Sequence, residues 1–254
     1  MGLLNHVLVP CTFPGNPVPT GAGYTWDLGF TTTPGTTLIA VVCFATTVEP
    51  QPWNNISTFT LDNGDTFQGL MGTTPQLSSL PGNGTAPDTL DNGSVHGVNI
   101  YWVQSGAGGA TALGSLVTDT SFDTWIYEVG GVSGSPVFTG FSNHSFASGV
   151  NSVSTGSVDG GGGSFYVAGC GFPDAPNYSV NSPWTLDMSD AGGSYMCFGN
   201  EFDTAAAYLT ASGLQNCVFT FNDGPFSGSF GRFNAVIAAF PVSNPRPPSC
   251  QLIT

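Results

Sequence analysis

Gly35 to Phe44 reads GTTLIAVVCF, the longest apolar run in the chain, and its reading decides the fold. Seven or eight apolar residues with β-branched Ile and Val, entered from Pro34-Gly35 and left through Thr46 and Thr47, suit a buried central strand better than a helix. No helical cap follows. Placing Cys43 on Cys170, an offset of 127 positions (170 less 43), makes Gly162 to Cys170 repeat the run as a small polar start followed by Phe165, Tyr166, Val167 and Ala168. Three further matches keep the same order. Phe59-Thr60-Leu61-Asp62 with Asp65 returns 125 positions on (187 less 62) as Trp184-Thr185-Leu186-Asp187 with Asp190. Tyr101 with Ser105-Gly106 returns at an offset of 107 (208 less 101) as Tyr208 with Ser212-Gly213, and Phe122-x-x-Trp125 at 108 (230 less 122) as Phe230-x-x-Phe233. Preserved order predicts an internal duplication. The falling offset places a longer loop in the first copy, between about Thr73 and Val95, where added length is entropically inexpensive.

Composition agrees with strands. The 254 residues include 36 Gly and 19 Pro, 40% are hydrophobic and 12% aromatic, and no segment reads as a long amphipathic helix. The best helical candidate, Asp203 to Leu209 (DTAAAYL), falls opposite the strand-like Asn99 to Val103 in the repeat and is therefore read as strand. About twelve strands at short spacing predict an all-β, jelly-roll-like β-sandwich built from two similar halves that interleave into one core, with two separate sandwiches as the alternative. The sandwich spans 35–242, with halves of about 35–133 and 160–242. Residues 1–34 read as a strand and an extended arm, and 243–254 as a Pro-rich C-terminal arm that cannot sit inside a sheet.

Charge is scarce. Two arginines, Arg232 and Arg246, and no lysine stand against sixteen acids, a formal charge of −14. Phosphate neutralisation needs clustered cations, so the composition argues against nucleic acid and against an anionic membrane surface. No run has the eighteen apolar residues of a membrane helix, and the N-terminus has no basic segment of the secretory kind, so a protein made in the cytoplasm is expected. Among the six cysteines, Cys43, Cys170, Cys197 and Cys217 sit in strand patterns as small buried hydrophobes, whereas Cys11 and Cys250 lie in the arms.

Catalytic patterns are absent: there is no G-x-S-x-G, H-E-x-x-H or phosphate-binding glycine loop. His6, His96 and His144 have no local partner motif and read as surface or loop histidines. Asp123 and Glu128, five apart on one strand, face opposite ways and cannot flank a glycosidic bond. Asp62/Asp65 and Asp187/Asp190 are candidate Ca²⁺ ligands, since closely spaced carboxylates and carbonyls suit an oxygen-loving ion. Turn chemistry is the ordinary alternative for Asp and Asn at such positions. Trp53, Asn54, Asn55 and Tyr178 are candidate glycan contacts, an aromatic plane beside amides.

The series GTTLIAVVCF, STFTLDNGDTF, VNIYWV, FDTWIYEVGGV, GGSFYVAGCGF and FNAVIAAFP, spanning about Gly35 to Val242, resembles a pattern found in virion proteins of tailed bacteriophages, many of them minor tail proteins. Gly130 stands where that pattern often has Ser, and the arms, the missing lysine and the cysteines depart from it. The resemblance implies a sandwich fold and a non-enzymatic structural role in virion assembly, with other virion proteins and copies of the chain itself as partners. A capsid decoration protein, or an adhesin that binds a host-surface glycan, is the alternative on the same fold. It also implies a location in the virion, exposed on the particle, and no obligatory cofactor.

Overall fold

In a computed structural model of the chain, the described residues are 2–10, 23–46, 56–69, 88–89, 95–117, 120–145, 152–172, 178–187, 195–197, 200–221 and 232–243. They form strands and turns only, and DTAAAYL is strand. The first nine strands are β1 (Leu3–Pro10), β2 (Gly23–Asp27), β3 (Thr36–Thr46), β4 (Ile56–Leu61), β5 (Gln68–Gly69), β6 (Asp88–Thr89), β7 (Val95–Ser105), β8 (Ala112–Val117) and β9 (Thr120–Val129). The next nine are β10 (Val137–Ser145), β11 (Ser152–Asp159), β12 (Ser164–Phe172), β13 (Tyr178–Val180), β14 (Thr185–Asp187), β15 (Tyr195–Cys197), β16 (Asn200–Ala211), β17 (Leu214–Phe221) and β18 (Arg232–Pro241).

All named strand pairs are antiparallel, in four sheets. One large sheet runs β1-β9-β3-β7-β5, with β6 also on β7, and a small sheet runs β2-β8-β4. The second set runs β10-β18-β12-β16-β14, with β15 also on β16, and β11-β17-β13. Raising every strand number in the first set by nine gives the second.

Side chains divide into three cores that stack the sheets in four layers. Leu38, Ala40 and Val42 of β3 point outward with Ile126 and meet Leu61 and Leu113 of the first small sheet. Tyr166, Ala168 and Cys170 of β12 point outward on the other side and meet Val153, Cys217 and Phe219 of the second small sheet. Ile39, Val41, Cys43, Trp125 and Tyr127 point inward against Phe165, Val167, Val236 and Phe240, so the two large sheets pack face to face. This explains why β3 is a continuous apolar run: buried on both faces, it has no reason to alternate. Each fully buried Val, Ile or Phe stabilises by about 1.5–3 kcal/mol, so the middle layer is a major store of stability.

Four expectations are corrected here. The halves do not interleave strands: each described sheet draws on one half, because each central strand finds both neighbours nearby in its own half, β7 and β9 for β3, β16 and β18 for β12. What the halves share is the middle layer. The offset of 127 is also wrong by one. Cys43 faces the middle layer and Cys170 the outer core, and an odd shift along a strand reverses every face. An offset of 126 (165 less 39) sets Ile39 on Phe165 and Val41 on Val167, all in the middle layer, and Gly35 on Gly161, which share positive φ angles of 74° and 78°. The Tyr101–Tyr208 match fails by the same parity, since Tyr101 faces outward and Tyr208 inward. The match of Phe59–Asp62 with Trp184–Asp187 joins strands of different kinds, β4 in a small sheet and β14 in a large one.

Within residues 1–34 the described parts are strands and their flanking turns. β1 closes the edge of a large sheet and β2 belongs to a small one, with Trp26 and Phe30 packed on the outer core. Ser243 is the last described residue and donates its N–H to the Gly131 carbonyl at 2.7 Å, joining the end of the second half to the first. The rest of the C-terminal arm, and residues 11–22, lie outside the described residues.

Candidate functional site

Two polar side chains of β1 make long-range ties, one to its own sheet and one to the opposite large sheet. β1 reads LLNHVLVP, an apolar strand with two adjacent polar residues, which alternation sends to opposite faces. Asn5 goes outward and donates to Glu128 Oε2 at 2.6 Å. The Glu128 side chain is fully buried and its Oε1 also accepts from the Thr33 N–H at 2.5 Å and the Thr36 hydroxyl at 3.0 Å. A carboxylate this deep survives because three donors surround it. Its work is to pin β1 and the turn before β3 onto β9.

His6 goes inward and crosses to the other half. Its Nδ1 lies 3.0 Å from both Asp187 Oδ1 and Oδ2, with the imidazole N–H donating to the carboxylate. His6 is 37% exposed and Asp187 only 3%. The imidazole lies parallel to the Tyr127 ring, centroids 6.4 Å apart, and at 5.9 Å from Tyr208, which itself packs on Phe165. The Tyr127 hydroxyl is buried without a hydrogen-bond partner among the described residues. Burial first, and then the nearby Asp187 charge, hold that phenol protonated, with its pKa well above the ordinary value of 10.0. The Asp187 carboxylate is close enough to act on the hydroxyl through its charge. Trp125 Nε1, also in the middle layer, is likewise without a partner among the described residues.

Chemically, this is an imidazole oriented by a buried carboxylate, the half of a general-base arrangement that fixes geometry. Acyl transfer also needs a nucleophile within hydrogen-bonding reach. Among the described residues the ring neighbours of His6 are Tyr127 and Tyr208, and the His6–Asp187 pair links β1 to β14 across the middle layer.

The sequence candidates fall elsewhere. Asp62 and Asp65 occupy a tight turn after β4 in which Gly64 has φ 92°. Asp62 accepts from the Thr111 N–H at 3.0 Å and the Thr111 hydroxyl at 2.9 Å, and these bonds, the hydroxyl's foremost, lower its pKa below 3.8. Asn63 donates to Asp65 Oδ2 at 2.9 Å and to the Gly108 carbonyl at 3.1 Å, tying the turn to the β7–β8 connection. Asp187 stands on β14 in the other half, so it does not join Asp62 and Asp65 in one site. Asp190, Trp53, Asn54 and Asn55 lie outside the described residues; Tyr178 is placed on β13 beside Phe221, its side chain outside them. Trp184 is buried in the second outer core and donates its indole N–H to the Asn216 carbonyl at 2.8 Å. Cys43, Cys170 and Cys217 are buried; burial raises the pKa of Cys170 and Cys217 far above the ordinary 9.0.

Comparison of the chain with protein-family models, with curated proteins and with solved structures yields no match. No partner for His6 is visible in the sequence, since 181 positions separate it from Asp187. The one local signal was the Asn-His pair interrupting both faces of an apolar strand.

Proposed function

We propose that the chain is a non-enzymatic structural component of a phage particle, a minor tail protein, which acts in virion assembly through protein–protein contacts. The observation that carries this reading is the repeated strand order. The order β1-β9-β3-β7 against β2-β8-β4, repeated as β10-β18-β12-β16 against β11-β17-β13, supports reading each set as a jelly roll. On this reading a duplicated jelly roll forms one rigid block, a shape suited to packing against neighbours. The sparse charge agrees, with 7% charged residues and no lysine to blunt exposed strand edges. Among the described strands, β1 and β10 each pair on one side only, and they carry the exposed Leu4 and Val137. Polar side chains at the seam serve as internal ties, which fits a role without turnover.

Mass spectrometry of particles purified from the phage that encodes the chain tests the proposal. Peptides at a fixed ratio to the major tail protein are expected. Their absence from intact particles sinks the virion reading, and a fixed ratio to the capsid protein alone moves the chain to the capsid decoration role. Selective glycan binding on an array moves it to the adhesin role.

A further inference from the structure

The middle layer consists almost wholly of aliphatic and aromatic side chains, yet Asp187 is buried at its edge. We propose that His6 and Asp187, with Tyr127 beside them, are a register lock that fixes how the two large sheets stack. Apolar contact is non-directional, so faces made of Val, Ile, Ala and Phe bury similar areas in neighbouring registers. The imidazole–carboxylate pair is directional, and only one stacking gives the buried carboxylate its donor. Any other leaves a charge in a water-poor layer without a partner, a strong penalty on the wrong arrangement.

The position of the pair suits this task. At the centre, Gly169 of β12 lies so close to Val41 and Val98 that a Cβ there would collide with their methyl groups, which fixes one point of contact. One point leaves rotation free. β1 is two strands from β3, and β14 two strands from β12, each about 10 Å from that centre at ordinary strand spacing. A tie at that radius resists rotation as well as sliding. It is not a general property of the repeat: the position matching Tyr127 across the paired registers is Phe240, which has no hydroxyl.

The test uses the full chain with methyl and amide NMR. In the double variant His6→Phe/Asp187→Leu, both polar partners become apolar, and it is expected to stay folded with a melting temperature near or above that of the parent protein. The Val41, Val98 and Gly169 signals should nonetheless split or broaden, with loss of the Val41–Gly169 cross-peaks. One sharp set of signals with undiminished cross-peaks would overturn the lock, whatever the melting temperature. Should the double variant fail to fold, His6→Phe alone decides: it keeps a ring against Tyr127 but strips Asp187 of its donor. A lowered melting temperature with doubled seam signals supports the lock, and unchanged melting with a single set overturns it.

Discussion

At the scale of single residues, two positions make sharp demands. Gly169 is glycine because the opposite sheet fills the space where a side chain would be. Gly169→Ala should destabilise the protein by about 1–3 kcal/mol, the range for overpacking a core, as read from urea denaturation. A loss within error would mean that the sheets stand further apart at this point. Asp62 makes a pH-dependent demand. Its pKa is depressed by Thr111, so the stability it contributes is present above the ordinary 3.8 and is lost as pH falls through the lower folded value. Thr111→Val should therefore melt below the parent protein at pH 7, with the gap closing as the pH drops below 3.8. The turn at Asp62-Asn63-Gly64 was legible in sequence because Gly supplies positive φ and Asn bonds its own backbone. The Gly169 contact was not, since it depends on a residue 128 positions away (169 less 41).

At the scale of elements, β1 makes ties in two directions while pairing with a single described strand. It pairs with β9 alone among described strands, yet it reaches the outer core through Asn5 and the other half through His6. Glu128→Ala would leave Asn5, the Thr33 N–H and the Thr36 hydroxyl without their shared acceptor, for a loss of about 3 kcal/mol or more. Hydrogen exchange should then show β1 opening before any other strand, and retained β1 protection would contradict the role given to Glu128. Strands were mostly readable, since GTTLIAVVCF, SFYVAGCGF and RFNAVIAAFP announce themselves by unbroken apolarity. β2 was missed because Gly23 to Asp27 follows a Pro/Gly-rich stretch that masks a short strand. His6–Asp187 was out of reach, because the tie is made by the stacking of two sheets and leaves no spacing in the sequence.

For the whole molecule, buried protons set an alkaline limit. Tyr101, Tyr127 and Tyr166 have pKa values raised above 10.0, and Cys170 and Cys217 above 9.0, with burial the leading cause in each. Groups raised on folding contribute fully below their unfolded values, and that contribution is lost as pH rises. Denaturant midpoints should hold up to about pH 9 and then fall through pH 10 and beyond. A midpoint still flat at pH 11 would show that these groups ionise without unfolding. The repeat of strand order is visible in the sheets, but the matching positions were not legible in the sequence, because a one-residue error in offset exchanges the two faces of every strand. The central claim is that two strand-for-strand sandwiches share one buried middle layer and so behave as one body. Native-state hydrogen exchange measures this directly. Amides of Ile39 to Cys43 and Phe165 to Cys170 should be the slowest in the chain and should exchange through a single opening of the same free energy. If one set exchanges through its own opening while the other stays protected, the halves unfold separately and the shared middle layer does not bind them.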